Sequence, residues 1–340
     1  MSADQASASP PRLGNVDGPA RVAQSAEQLT RNEQVRSSNL LSGSRFPPSA
    51  EAGCSRGANS SPAEGAPVGV SKSKVTALGE QLRSGEYGAE ELSVLGDWRR
   101  GFEPALGEVV SSLAALEPVT GRSKTVNSIV DKLRRMPSTR LAQIEDIAGA
   151  RMVREMNLDQ QDALVADICE IFPDNKVYDR RVKPSSGYRA VHVVVRIGGV
   201  PVEVQIRTRV QDLWAQLVES LSDRWGQQIK YGGPPDEPDV PVGDTTAGDT
   251  TTRGAVVEMV VQRLSQSLRR IEEETAQVER RSAGLEDQVR QAYMEGRVED
   301  LRDHVENRDA LVVAQAEARQ SRAEFMDSLI DLVLLLQAVP

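Results

Sequence analysis

Residues 179–208 read DRRVKPSSGYRAVHVVVRIGGVPVEVQIRT, two valine-rich runs on either side of Gly198-Gly199. β-Branched runs separated by a two-glycine step predict a β-hairpin with a two-residue turn. Such a turn sets the register, so Ile197 pairs with Val200 and the ladder can be counted outward. One face then holds Val191, Val193, Val195, Ile197, Val200, Val202, Val204 and Ile206. The other pairs His192 with Gln205, Val194 with Glu203, Arg196 with Pro201 and Ala190 with Arg207. Pro201 falls in a non-hydrogen-bonded pair, where its missing N–H is tolerated. Antiparallel sheets often wet one face, but Lys, Thr and Glu usually fill such a face. A carboxylate, an amide, an imidazole and arginines after a Gly-Tyr turn read instead as a site.

The rest of the 340 residues restrict what that site can serve. A net charge of -9 argues against a general nucleic-acid binder, DNA included, and leaves anion binding to local basic clusters. Cys54 and Cys169 are too few for a disulfide framework, which predicts a reducing cytoplasm. Cys169 lies at helical spacing with Val165, Ile168 and Phe172 and reads as core. The chain lacks an uninterrupted apolar run of bilayer length, so no membrane role is expected. With His192 and His304 its only histidines, a multi-histidine metal site is excluded.

Residues 1–70 are rich in Ser, Ala, Gly and Pro without a hydrophobic period, which predicts a disordered tail. Residues 21–44 read like translation across a tRNA gene, and the next methionine after Met1 is Met136. The natural start is therefore expected near Val68 or Val70. Helices follow, with Leu92, Leu95, Trp98 and Phe102 on one stripe and Leu106, Val109, Val110 and Leu113 on a second. Pro104 marks a break or a first turn between them.

Residues 121–135 put Val126, Ile129, Val130 and Leu133 on one face of an amphipathic helix. Lys124, Ser128 and Lys132, spaced by four, line another, with Arg122 just before. Cations and a hydroxyl in one row suit a polyphosphate, though a solvated lysine face has the same pattern. Residues 144–153 predict a turn into a short buried strand. Asp146 in that turn suits Mg²⁺, which is held by one or two carboxylates plus substrate phosphates; a turn-capping Asp is the alternative. A helix over 158–172 and a strand opening at 176–178 precede the hairpin. After it, 207–231 is expected to be helical, with Val210, Leu213, Trp214, Leu217, Val218 and Leu221 inward.

Residues 234–253 are Pro-, Gly- and Asp-rich and predict a disordered acidic linker. The segment 254–340 reads as a helical tail. Val257, Val261, Leu264, Leu268, Ile271, Thr275, Val278, Ser282, Leu285 and Val289 form a heptad seam there. A second helix is expected over 309–337. It pairs with the first as an antiparallel hairpin, or the seam builds a homo-oligomeric coiled coil.

The motifs GRSKTVNSIVDK, EDIAGAR, DRRVKPSSGYRAVH and EVQIRT occur in an order and spacing that resembles the RelA/SpoT-type alarmone synthetase domain, here over residues 74–233. The resemblance implies an α+β, nucleotidyltransferase-like fold: a mixed β-sheet flanked by helices. It implies transfer of pyrophosphate from ATP to the 3′-hydroxyl of GDP or GTP, with Mg²⁺. By resemblance, Arg122, Lys124, Ser128 and Lys132 would bind ATP, with Arg122 also placed to stack on adenine. Asp146 and Glu203 would hold the metal, Glu203 polarising the acceptor hydroxyl, and Arg151 would lie beside the pyrophosphoryl group. Tyr188, Arg189, His192, Gln205 and Arg207 would form the acceptor site, Tyr188 stacking on guanine. The chain departs from the family pattern at Lys183-Pro184, where the order is reversed, and in a following helix that carries Glu219 and Asp223 and ends in Lys230-Tyr231. Those departures bear on the acceptor, for which the tRNA 3′ end is the rival to GDP or GTP. An inactive nucleotide-binding module is the rival outside catalysis.

Overall fold

The computed structural model describes residues 71–242 and 251–338. The readings made for residues 1–70, including Cys54, and for 243–250 lie outside the described residues. β4 (Val191–Ile197) and β5 (Val200–Thr208) form the hairpin with the expected register, from Ile197 opposite Val200 to Val191 opposite Ile206. The ladder stops there, and the Ala190 carbonyl accepts the Arg180 amide at 2.9 Å. Gly198 and Gly199 both have positive φ, 56° and 83°, which a two-residue hairpin turn of this hand requires.

β1 (Val119–Ser123), β2 (Ala148–Arg154) and β3 (Asn175–Asp179) complete a five-stranded sheet ordered β1-β2-β5-β4-β3. β2 runs parallel to β5 and the other pairs are antiparallel, so the sheet is mixed, as expected. The β2–β5 register begins at Glu203, which leaves the Pro201 nitrogen clear of that partner. β1 was not anticipated, because Val-Thr-Gly-Arg-Ser lacks an apolar alternation and is mostly exposed.

The apolar sheet face packs under α1 (Lys72–Ser84), α2 (Ala89–Arg100), α3 (Glu103–Leu113), α4 (Val126–Arg135) and α5 (Leu158–Ile171). Leu95, Trp98 and Phe102 are buried from the first predicted stripe, and Val109 and Leu113 from the second. Pro104 sits in the first turn of α3, where its missing N–H is harmless. Cys169 is half-buried against this core.

The helix expected from Arg207 starts later, since Arg207 and Thr208 belong to β5. Thr208 caps α6 (Arg209–Trp225), its Oγ1 accepting the Gln211 amide at 3.2 Å. A 3₁₀ turn, Gln227–Tyr231, replaces the last helical residues after Gly226, whose φ of 117° ends the helix.

The described ends of the acidic stretch, 234–242 and 251–253, are bonded to each other and to the start of the tail. Val242 is buried and donates its amide to Thr251 at 2.7 Å; Arg253 donates to Val240 at 3.0 Å and Gly254 to Pro238 at 2.9 Å. Beyond it lie α7 (Arg253–Glu258), a π-helical stretch Met259–Leu264, α8 (Ser265–Met294) and α9 (Val298–Ala338). α8 and α9 form an antiparallel hairpin within the chain and pack on α6. Trp214, Leu217 and Leu221 share one cluster with Val260, Leu264, Leu268, Phe325 and Leu329. Val257, Val261, Leu264, Leu268, Ile271, Thr275 and Leu285 of the seam are buried, while Val278, Ser282 and Val289 are half-buried. No helix among the described residues is long and apolar enough to cross a membrane.

A free linker at 234–253 would let a cut after Gly233 release an independent fragment, but the packing of α6 on the tail opposes that. Truncation there bares several side chains whose burial contributes about 1.5–3 kcal/mol each. The truncated chain should unfold at markedly lower urea than the full chain, or aggregate, in a denaturation series followed by tryptophan fluorescence.

Candidate active site

The mixed ladder sets the polar face in rows. Arg122 lies opposite Gly149, which lies opposite Glu203; Arg151 lies opposite Gln205, which lies opposite His192. A Cβ at Gly149 would sit in ordinary contact with the carbonyls of Glu203 at 3.6 Å and Arg122 at 3.8 Å, so the floor between these two residues is bare backbone.

Five side chains on this face close a ring of hydrogen bonds. Arg207 donates through Nε and Nη2 to the Tyr188 hydroxyl at 3.2 and 3.0 Å. Tyr188 Oη lies 2.9 Å from His192 Nε2, and His192 Nδ1 lies 2.9 Å from Glu203 Oε1. Gln205 donates to Glu203 Oε2 at 2.8 Å and accepts from Arg207 Nη2 at 3.1 Å. With two donors already on its oxygen, Tyr188 is left to donate to Nε2, which assigns the histidine hydrogen to Nδ1. Both arms therefore run from Arg207 and end as donors to the Glu203 carboxylate. Burial opposes ionisation of Glu203, but the bonds from His192 and Gln205 outweigh it and hold the carboxyl below its ordinary range. Burial pushes the Tyr188 phenol up.

Arg207 is anchored from behind by Asp212, one turn into α6, at 2.9 Å in a pair almost sealed from solvent. Sequence reading missed Asp212 because the strand-to-helix change between the two residues was placed too early. It also missed Glu145, which accepts from Tyr178 at 2.9 Å and Arg196 at 2.7 Å at the far end of the sheet.

The second cluster centres on Asp146, in the turn before β2. Lys124 Nζ lies 2.7 Å from Oδ2 and Lys132 Nζ 2.8 Å from Oδ1. Lys124 is fixed by its amide, which donates to Ile147 at 2.8 Å, and Lys132 by the amphipathic α4, whose apolar face is in the core. Burial opposes the Asp146 charge, yet the two ammonium groups outweigh it and lower the carboxyl. The two carboxylates, Asp146 and Glu203, are close enough to repel each other. Arg151 is half-buried on β2; burial and the nearby Arg207 weaken its hold on a proton, while Asp212 and Glu219 strengthen it.

Two expected members stand apart. Ser128 is exposed and bound to the helix cap, its amide donating to Thr125 Oγ1 at 3.2 Å and its hydroxyl 2.8 Å from the same oxygen. Arg189 points away from Tyr188. It is buried and donates to Ser265 Oγ at 3.2 Å and to the Arg181 carbonyl at 2.6 Å. It lies in the turn before β4, held there by Ser265 and the Arg181 carbonyl on the side away from the ring. Arg122 is exposed on β1, at the rim.

Residues 121–222, which hold every one of these site residues, match the family described as "Region found in RelA / SpoT proteins". The chain carries a RelA/SpoT-type region. An uncharacterized protein of Mycobacterium tuberculosis is 40% identical over 121 residues, 35% of this chain and 44% of that protein. GTP pyrophosphokinase YjbM of Bacillus subtilis is 34% identical over 134 residues, 34% of this chain and 60% of that protein. The matched part thus spans 44–60% of the length of these relatives. Among solved structures, small alarmone synthetase 1 from Bacillus subtilis is 26% identical, with 54% of this chain and 96% of that one covered and a TM-score of 0.38. The same enzyme bound to AMPCPP gives 24% identity, 54% and 96% coverage and a TM-score of 0.34.

The donor set of the RelA/SpoT region fits a hard divalent cation. Asp146 and Glu203 offer carboxylate oxygens near each other, the oxygen-only chemistry that Mg²⁺ takes with substrate phosphates. Among the described residues no group of three or more His, Cys, Asp or Glu could form a metal site of protein ligands alone.

Two stability measurements test this geometry. Asp212→Ala leaves a buried guanidinium unpaired and should cost about 3–5 kcal/mol in urea unfolding. Because folding lowers the Asp146 and Glu203 carboxyls, their stabilisation is complete above the unfolded-state value of about 4. It is lost as pH falls through the lower folded values. Unfolding free energies measured across acid pH should therefore decline less steeply in Asp146→Asn and Glu203→Gln than in the parent chain.

Proposed function

We propose that the RelA/SpoT region transfers the β,γ-pyrophosphoryl group of ATP to the 3′-hydroxyl of GDP or GTP, giving AMP and a guanosine tetra- or pentaphosphate. One observation carries the reading: a lysine pair gathered on Asp146 faces a hydrogen-bond ring that terminates on Glu203. Phosphoryl-group chemistry needs cationic neutralisation of the moving group and one carboxylate to orient the nucleophile. These two clusters supply both. The match to the B. subtilis GTP pyrophosphokinase supports the same assignment.

In this reading the ATP phosphates take Lys124 and Lys132 as partners, which frees Asp146. Asp146 and Glu203 would then be the residues to hold Mg²⁺, which when bound would supply neutralisation of the charge developing on the phosphates. Arg122 binds at the open rim and Arg151 beside the transferred group. Glu203, kept ionised by His192 and Gln205, accepts the proton of the 3′-hydroxyl as the hydroxyl oxygen attacks the β-phosphorus. The bond from that phosphorus to the bridging α,β-oxygen breaks, and AMP leaves with the electron pair. Tyr188 contributes its ring to the acceptor base.

A tRNA acceptor is the weaker reading on charge: Arg181 is paired with Asp179 and Asp162, and Arg207 with Asp212, so these two arginines are already neutralised within the chain.

Purified full-length protein given ATP, Mg²⁺ and labelled GDP, GTP or deacylated tRNA should label a guanosine product. Label on tRNA would reassign the acceptor, and no product with any of the three would leave a nucleotide-binding module. Asp146→Asn and Glu203→Gln should each lower kcat by orders of magnitude with the fold retained by circular dichroism. Tyr188→Ala should act mainly on the acceptor KM, since base stacking contributes about 1–3 kcal/mol; an unchanged KM would remove Tyr188 from the base site.

A further inference from the structure

The C-terminal helix reaches the back of the site at two buried polar residues one heptad apart. Ser265, the first residue of α8, donates its hydroxyl to the Gly187 carbonyl at 2.6 Å and accepts Arg189 Nε at 3.2 Å. It thus holds both neighbours of Tyr188. Glu272, two turns on, accepts from Thr208 Oγ1 and from Gln211 Nε2 at 3.0 Å, and Thr208 directly follows Arg207. Tyr188 and Arg207 are the pair joined by two hydrogen bonds at the head of the ring.

The fit leaves no slack. A Cβ on Gly187 would lie 2.1 Å from the Val261 carbonyl oxygen and 2.9 Å from the Trp214 ring. The Trp214 indole in turn donates to the Val260 carbonyl at 3.0 Å. Ser265 and Glu272 lie beside Leu264 and Ile271 on the buried face of α8, which also carries Ser267 and Thr275. Buried polar groups need satisfied partners in fixed directions, and these partners flank Tyr188 and Arg207.

We infer that Ser265 and Glu272 are positioning residues of the acceptor site: the tail sets the Tyr188 turn and the Arg207 strand end from behind, although it lies outside the RelA/SpoT region. The kinetic consequence rests on the function proposed above; the structural one does not. In the full-length protein, amide exchange at 186–190 should rise about tenfold in Ser265→Ala, the loss of roughly one buried hydrogen bond. Exchange at 205–210 should rise similarly in Glu272→Gln. Arg280→Ala, which breaks the exposed tail-to-α5 ion pair with Asp159 at 2.8 Å, should change neither segment. The acceptor KM should rise in Ser265→Ala with the ATP KM unchanged, and Ser265→Ala should add nothing in a Tyr188→Ala background. Unchanged exchange at 186–190 in Ser265→Ala, or an equal rise there in Arg280→Ala, would overturn the inference. Full additivity with Tyr188→Ala would do the same. If the parent protein transfers nothing to a guanine nucleotide, the proposed function falls while the exchange result still decides the positioning role.

Discussion

A guanidinium buried at the end of β5 dictates the order around it. Arg207 is 4% exposed, and a cation so placed must find acceptors for donors fixed in a planar fork. Asp212 takes one edge, and Tyr188 and Gln205 take the rest. Once these are committed, the free hydrogen of Tyr188 and the free amide of Gln205 each have a set direction, and both lead to Glu203. The orientation of the Glu203 carboxylate is thus an outcome of neutralising one buried charge. Its cost is conditional on Asp212, which is why the α6 N-terminus belongs to the site as much as the sheet does.

The two halves of the site are built on different physics. Around Glu203 the side chains are mostly neutral and rigidly hydrogen-bonded, so their geometry is settled before anything binds. Around Asp146 two flexible ammonium groups neutralise a carboxylate and can exchange it for phosphate oxygens. A site that is preorganised on one side and exchangeable on the other suits one partner that must be oriented and another whose charge must be absorbed.

Much of this was legible. The hairpin and its register follow from a period of two and a two-glycine turn, and with them the grouping of His192, Glu203, Gln205 and Arg207. The lysines could be seen on α4, but their meeting with Asp146 could not, because the link crosses the unpatterned strand β1. Ser128 shared their spacing and was lost to a helix cap, a competition that local hydrogen bonding by Thr125 decides. Arg189 was grouped with its neighbour Tyr188, but both lie in the turn before β4, where hydrogen bonds to Ser265 and the Arg181 carbonyl turn Arg189 away from the ring. The acidic stretch looked like a tether because composition reports solubility and not the buried place that Val242 finds.

The π-helical stretch Met259–Leu264 gives the tail a phase as well as a position. Its widened turn leaves the carbonyls of Val260 and Val261 against Trp214 and the Gly187 turn, and it sets the angular start of everything downstream. Loss of a single residue there would restore regular helical bonding yet rotate α8 by about 100° about its axis. Ser265 and Glu272 would then face solvent or α9, with every hydrophobic residue still present in the chain. The tail is therefore a keyed part, in which reading frame along one helix governs whether the far side of the sheet is correctly aligned.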